Sequence, residues 1–188
     1  YLPRQQLIGL LDNASRVWSE QREQVLASGA HIASRLREVT GPPAPAAVPV
    51  DVLDRAATRL RTDHDDARGG FGGAPKFPPS MVLEFLLRHH ARTGSADALA
   101  MVGSTCAAMA RGGMYDQLAG GFARYSVDAA WVVPHFEKML YDNALLLRVY
   151  AHLWRDTGDR TARRVAEETA DFLVRDLGTP EGAFASAL

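Results

Sequence analysis

Three stretches of the chain repeat one pattern of small residues around a phenylalanine: Gly69-Gly70-Phe71-Gly72, Gly120-Gly121-Phe122-Ala123 and Gly182-Ala183-Phe184-Ala185. Each follows a segment with helical periodicity, and they recur at intervals of about 50–60 residues, which is typical of a repeat architecture. Glycine lets the backbone turn sharply, and the phenylalanine can anchor the loop in a layer of helices. We therefore predict that one helix pair and one loop form the repeating unit.

Amphipathic helices are predicted between these loops. The spacing of apolar residues predicts helices over 51–62, 81–92, 96–111, 136–157 and 161–177. Glycines at the short breaks between paired helices favour tight turns. The long loop over 112–135 is predicted to hold a short hairpin formed by 122–126 and 131–133. Because no long strand is predicted, the fold class is all-α, built from helical hairpins.

A proline-rich segment separates the first forty residues from these hairpins. Helical periodicity begins at Pro3, and four prolines then fall between Gly41 and Pro49, which excludes a helix interior or a central strand there. We therefore divide the chain into a helical segment over 1–40, a stiff linker over 41–50 and a second domain over 51–188. Since the chain starts with Tyr1 rather than Met, inside a predicted helix, we expect it to be part of a longer protein.

Composition limits the classes of function. The 188 residues carry 21 Lys+Arg and 22 Asp+Glu, a net charge of −1 that does not favour binding to nucleic acid or an anionic membrane. The single cysteine excludes an internal disulfide, a redox pair and a cysteine-based zinc site. We recognise no membrane span and no signal peptide. We therefore predict a cytoplasmic protein without a metal or cofactor.

The densest group of polar and aromatic residues lies between Gly112 and Asn143. Sugar sites use this mixture, because aromatic faces cover the apolar side of a sugar ring, while carboxylates and arginine bind its hydroxyls. A histidine or carboxylate can also move a proton. We predict these roles: proton transfer for Asp116, His135 and Glu137, and substrate binding for Arg124, Tyr125, Trp131, Tyr141, Asp142 and, from the first loop, Lys76.

Each main candidate also has a structural alternative. Asp116 can cap the turn after the preceding helix, and His135 can bond to a backbone carbonyl. Glu137 is predicted in the first turn of a helix, where the helix dipole favours a carboxylate. Asp142 can pair with Lys138, four residues earlier on the same predicted helix. A further alternative is that these residues only hold the loops together.

The two glycine loops resemble a known family. Asp65 with Gly69–Pro78, and the second loop from Gly113 to Ala144, are similar to the thioredoxin-domain-containing family typified by spermatogenesis-associated protein 20. The resemblance covers about 51–188, and residues 1–40 resemble the end of that family's thioredoxin-like domain. It implies a thioredoxin-like unit upstream and a six-hairpin glycosidase-like (α/α) toroid, related to N-acylglucosamine 2-epimerase and to glycoside hydrolases of that fold.

Two functional hypotheses follow. The first is a carbohydrate-active domain, acting as a sugar epimerase or isomerase. The second is a non-catalytic toroid that binds a glycan or a protein and is coupled to the upstream redox domain. The chain has Ala119 where the family commonly has Gly, and Ala123 where His is common, which weakens the catalytic hypothesis. Because residues 51–188 suffice for only two to three hairpins, we expect an open ring that exposes apolar surface.

Overall fold

The computed structural model describes residues 2–41, 47, 49 and 51–188. The chain divides into two compact units, residues 1–48 and 49–188. Most of the predicted linker over 41–50 lies outside the described residues. Within the described ranges, no helix combines the length and the apolar character needed to cross a membrane.

The first unit is a pair of helices, α1 (Arg4–Glu20) and α2 (Arg22–Thr40). Neither helix contains a buried residue, and large apolar side chains such as Leu11, Trp18 and Ile32 are exposed. The helical character predicted for this segment is confirmed. Its origin in a thioredoxin-like domain stays a prediction.

The second unit is built from five helices and one very short pair of strands. The elements are α3 (Val52–Asp63), α4 (Ser80–Thr93), α5 (Ala96–Arg111), β1 (Tyr125–Ser126), β2 (Pro134–His135), α6 (Leu140–Thr157) and α7 (Arg160–Phe172), which continues as a π-helical turn over Leu173–Leu177. The two strands are antiparallel. The all-α class is confirmed.

The helices form two hairpins arranged in two layers. Gly94 and Gly158 end α4 and α6 in the left-handed region, with φ of 75° and 73°, so that α5 and α7 fold back along them. Helix α4 packs beside α6 and α5 beside α7, while α3 contacts both α4 and α5. Leu83, Val102 and Leu146 are among the fully buried residues of the core between the layers.

Helix α6 begins later than the sequence predicts. Residues 136–139 are not helical, because Lys138 pairs with Leu188, which follows the Gly182–Ala185 stretch, through two backbone hydrogen bonds of 3.4 and 3.0 Å. Leu140 then donates its N–H to the carbonyl of Ser186 at 2.9 Å. Glu137 therefore lies before the helix, and its predicted place in the first helical turn is wrong.

Two further local predictions need correction. The hairpin in the long loop pairs Tyr125 with His135 and Ser126 with Pro134, so β1 lies at the end of the predicted first strand over 122–126, whereas β2 directly follows the predicted second strand over 131–133. The last predicted helix does not stay α-helical to Leu177, because its final residues form the π-helical turn. The pairing of β1 with β2, and the burial of Leu173 and Leu177 together with Phe172 at the π-helical turn, are tertiary contacts that local periodicity does not encode.

Candidate functional site

The second glycine loop is closed by Asp116 and Lys138. One Asp116 oxygen accepts backbone N–H bonds from Leu118 and Ala119 at 2.9 and 3.0 Å. The other accepts from Lys138 Nζ at 2.9 Å, and the same ammonium donates to the carbonyl of Gly120 at 2.9 Å. These bonds, with the Ala119 N–H first and Lys138 next, lower the pKa of Asp116 to about 2.

The first glycine loop contains the same arrangement. Asp65 accepts from the N–H groups of Ala67 and Arg68 at 3.1 and 3.0 Å. Lys76 Nζ donates to Asp65 at 2.6 Å and to the carbonyl of Gly69 at 2.8 Å. We call Asp65–Gly69–Lys76 the first clamp and Asp116–Gly120–Lys138 the second clamp. The hydrogen bond from Lys76 is the largest cause of the lowered pKa of Asp65.

An aromatic ring covers each pair of glycines. Gly70 and Gly121 both have positive φ, 82° and 79°, and a Cβ on either would lie 2.5 Å from the ring of Trp131 or Phe172, respectively. The ammonium of Lys76 also faces the Trp131 ring, 5.6 Å from its centre. Trp131 is 1% exposed, and its indole N–H points to the carbonyls of Arg68 and Gly69 at 3.1 and 3.2 Å. Trp131 thus joins the second loop to the first.

Three predicted site residues, Lys76, Trp131 and Asp116, therefore form hydrogen bonds that hold the loops together. Lys76 is 1% exposed and its charge is matched by Asp65, so the predicted contact with a substrate does not fit its position. Trp131 is equally buried. Asp116 caps a turn, as its structural alternative predicts, because its hydrogen bonds hold its own turn and Lys138. The alternative pairing of Asp142 with Lys138 does not occur, since Lys138 binds Asp116.

Other predicted residues come together on a small ladder of aromatic rings. Lys76 pairs with Ser126 by two backbone bonds of 2.9 and 2.8 Å, so the segment before α4 lies beside β1. Side chains alternate along such segments, which places Phe77, Tyr125 and His135 on one face. Phe77 stacks on Tyr125 at 4.7 Å and 29°, and Tyr125 stacks on His135 at 4.6 Å and 9°. These three rings are the aromatic ladder.

A charged group lies next to the ladder. Arg124 Nη1 donates to Glu137 Oε2 at 2.9 Å, and the Arg124 backbone N–H donates to the Glu137 carbonyl at 2.8 Å. His135 Nε2 lies 3.8 Å from the same Glu137 oxygen. The side chains of Arg124, His135 and Glu137 are 40%, 46% and 37% exposed, so a ligand can reach them.

Asp142 and Tyr141, in the first turn of α6, complete the group. Burial raises the pKa of Asp142, and the Arg124 charge opposes that rise. The pKa of Arg124 is raised by its bond to Glu137 and also by Tyr141. Within the described residues, Arg124 Nε and Asp142 Oδ2 are buried and have no hydrogen-bond partner. A donor and an acceptor without partners are the complement of a hydroxyl group, which can both accept and donate.

The structure thus separates the nine predicted residues into two sets. Six of them lie in or beside the ladder: Arg124, Tyr125, His135, Glu137, Tyr141 and Asp142. Sequence reasoning missed Phe77, and it missed Asp65 and Lys138 as clamp residues. The equal spacing from aspartate to Gly-Gly-Phe in both loops was a signal for Asp65. The lysines gave no such signal, because the hairpin separates Phe122 from Lys138.

Within the described ranges, no group of three or more His, Cys, Asp or Glu is placed to hold a metal ion.

Comparison with known sequences identifies relatives for most of the chain. No family model matches it. Spermatogenesis-associated protein 20 of rat is 39% identical over 137 residues, 71% of this chain and 17% of that protein. The human protein is 39% identical over 140 residues, 72% of this chain and 18% of that protein. The chain thus spans less than a fifth of the length of these relatives.

Solved structures with a similar fold include sugar-processing enzymes. A sugar epimerase from a ruminal bacterium matches with a TM-score of 0.64 and 18% identity, over 74% of this chain and 38% of that chain. Cellobiose 2-epimerase from Spirochaeta thermophila matches with a TM-score of 0.61 and 22% identity, over 76% and 41%. The chain is therefore a homologue of part of spermatogenesis-associated protein 20, with the fold of the α/α toroids to which these epimerases belong.

Proposed function

We propose that this chain supplies part of a sugar-binding, proton-transferring site in an epimerase- or isomerase-like toroid. One observation carries the proposal: the exposed His135 imidazole lies beside the Arg124–Glu137 pair, next to a buried donor and a buried acceptor that lack partners. An unpaired buried polar atom costs about 1–3 kcal/mol. Ligand binding that gave either atom a partner would remove that cost.

The chemistry of an epimerase or isomerase assigns a role to each group. His135 Nε2 removes the proton from the carbon next to the carbonyl of an open-chain sugar, and the bonding electrons move onto the carbonyl oxygen. Arg124 stabilises the negative charge that develops on that oxygen. Asp142, whose pKa is raised by burial, is the group suited to return a proton. Glu137 holds Arg124 and faces the imidazole, while Tyr125 and Tyr141 contact the sugar.

The test combines sugar binding with proton exchange. The intact protein is incubated in D₂O with D-glucose, D-mannose, N-acetyl-D-glucosamine and cellobiose, and deuterium at the carbon next to the carbonyl is followed by NMR. We expect exchange with at least one sugar and its loss in His135→Ala. The control is His31→Ala, because His31 is exposed on α2 in the first unit.

The outcomes separate the two functional hypotheses. Binding measured by calorimetry, without deuterium exchange, would support a non-catalytic glycan-binding toroid. Absence of binding, or binding and exchange that are unchanged in both His135→Ala and Arg124→Gln, would overturn the proposal.

We also propose that a thioredoxin-like domain precedes this chain in the longer protein and that the protein is cytoplasmic. The family resemblance of residues 1–40 supports the first of these proposals. Sequencing of the complete gene tests it, and fractionation of cells tests the location. A sequence upstream of Tyr1 without a thioredoxin-like pattern would contradict the first, and recovery in a membrane or secreted fraction would contradict the second.

A further inference from the structure

We propose that Phe77 and Tyr125 are positioning residues that fix the plane of the His135 imidazole. This inference rests on the proposed function, in which His135 moves the proton. It assigns a role to Phe77, and it gives Tyr125 a role that does not depend on contact with the sugar.

The backbone explains why the three rings stack. Tyr125 and His135 are direct partners in the β1–β2 pair, and Lys76 pairs with Ser126 on the other edge of β1. Phe77 follows Lys76, whose ammonium is held in the first clamp and is fully buried. Because neighbouring side chains point to opposite faces, burial of Lys76 on one face directs Phe77 to the other. The first clamp therefore fixes the outer ring of the ladder.

The ladder lies at the surface rather than in the core. Phe77 is 54% exposed, Tyr125 is half-buried, and the His135 side chain is 46% exposed. The three rings are thus stacked on one another without being enclosed by the core. Exposed aromatic rings in a fixed stack can instead hold a reactive group in one orientation while its edge stays open to a ligand.

The stack restricts the imidazole in the way that proton transfer requires. With the Tyr125 and His135 planes only 9° apart, rotation about the bond to the ring would break the contact. The imidazole edge then stays where Nε2 lies 3.8 Å from Glu137. A general base must be held within hydrogen-bond reach of the proton that it removes, so a loose imidazole would transfer protons more slowly.

The experiment compares Tyr125→Leu and Phe77→Leu with Tyr125→Phe in the intact protein. Stacking places the His135 ring protons over the Tyr125 face, which shifts their NMR signals upfield. We expect this shift to be lost in Tyr125→Leu, reduced in Phe77→Leu and kept in Tyr125→Phe. Since an aromatic pair contributes about 0.5–1.5 kcal/mol, the rate of deuterium exchange should fall roughly 2- to 10-fold in Tyr125→Leu, mainly in kcat.

The two readouts distinguish failure of this proposal from failure of the proposed function. Unchanged His135 signals in Tyr125→Leu, or an exchange rate equal to that of the unsubstituted protein, would overturn the positioning role even if His135→Ala abolishes exchange. If no sugar exchanges deuterium in the unsubstituted protein, the proposed function fails and the positioning role with it, although the ring shift would still report the stack. Circular dichroism on each variant checks that the helices remain folded.

Discussion

The first and second glycine loops have the same clamp but differ in the length and content of the segment between the phenylalanine and the clamp lysine. In the first loop, Lys76 lies only five residues after Phe71, and the clamp lies beneath Trp131 with the ammonium fully buried. In the second loop, the β1–β2 hairpin is inserted between Phe122 and Lys138. Arg124, His135 and Glu137 lie in or beside that insertion. The repeated residues therefore hold the loops, and residues in and beside the inserted hairpin form most of the candidate site, with Tyr141 and Asp142 supplied by α6.

The largest predicted difference between the loops is in how much stability the protein loses when the lysine of each clamp is replaced. Lys76→Met leaves Asp65 beside a buried apolar group, and we expect a loss of about 3–5 kcal/mol in the free energy of unfolding. Lys138→Met should cost less, about 1–2 kcal/mol, because its side chain and that of Asp116 are 13% and 33% exposed. Urea denaturation monitored by circular dichroism measures both. Equal losses would contradict the difference in burial.

The glycine pairs give the next prediction. Gly121→Ala adds a Cβ at 2.5 Å from the Phe172 ring at a residue with φ of 79°, so we expect a loss of about 2–4 kcal/mol from strain and overpacking. Gly72→Ala is the matched control, because its φ of 71° is similar but nothing lies within 4 Å of the added Cβ. We expect about 1–2 kcal/mol there. A control that loses as much as Gly121→Ala would show that contact with Phe172 adds nothing.

The contributions of Asp116 and Asp142 to the free energy of unfolding should change with pH in opposite directions. The pKa of Asp116 is lowered to about 2 in the folded protein, so its stabilising effect is complete above pH 4 and is lost as the pH falls towards 2. Asp116→Asn should therefore destabilise the protein at pH 7, and the difference should shrink as the pH falls through about 2.

Asp142 has a raised pKa, so its contribution is favourable at low pH and is lost as the pH rises through the folded-state value. Asp142→Asn should therefore leave stability at pH 7 unchanged or increased. Denaturation curves of both variants at several pH values test the signs. A destabilised Asp142→Asn at pH 7 would show that this carboxylate is structural, like Asp116.

The smallest predicted effect is on stability at the ladder. His135→Ala removes one exposed ring, and we expect a change of at most about 1 kcal/mol in the free energy of unfolding. The same denaturation assay measures it. A loss comparable to that of Lys76→Met would place His135 with the clamp residues rather than with the site.

Local sequence signals predicted most of the second unit. Helix α5 was predicted with its observed ends, and Gly94 and Gly158 ended α4 and α6 as expected. The start of α6 was not predictable, because Lys138 and Leu140 bond to residues that follow the Gly182–Ala185 stretch. The roles of Asp116 and Lys76 were not predictable either, since a carboxylate and an ammonium with suitable chemistry are indistinguishable in sequence from the same groups inside a clamp.

The sequence by itself determined the repeat, the helical hairpins and the segment that contains the candidate site, because apolar periodicity and glycine act over short range. Only the tertiary structure decided which polar residues have partners. Asp116 finds Lys138 and Lys76 finds Asp65, while Arg124 Nε and Asp142 Oδ2 find none among the described residues. Hydrogen bonding and burial depend on distances between residues far apart in the chain, and these distances exist only after the loops have packed together.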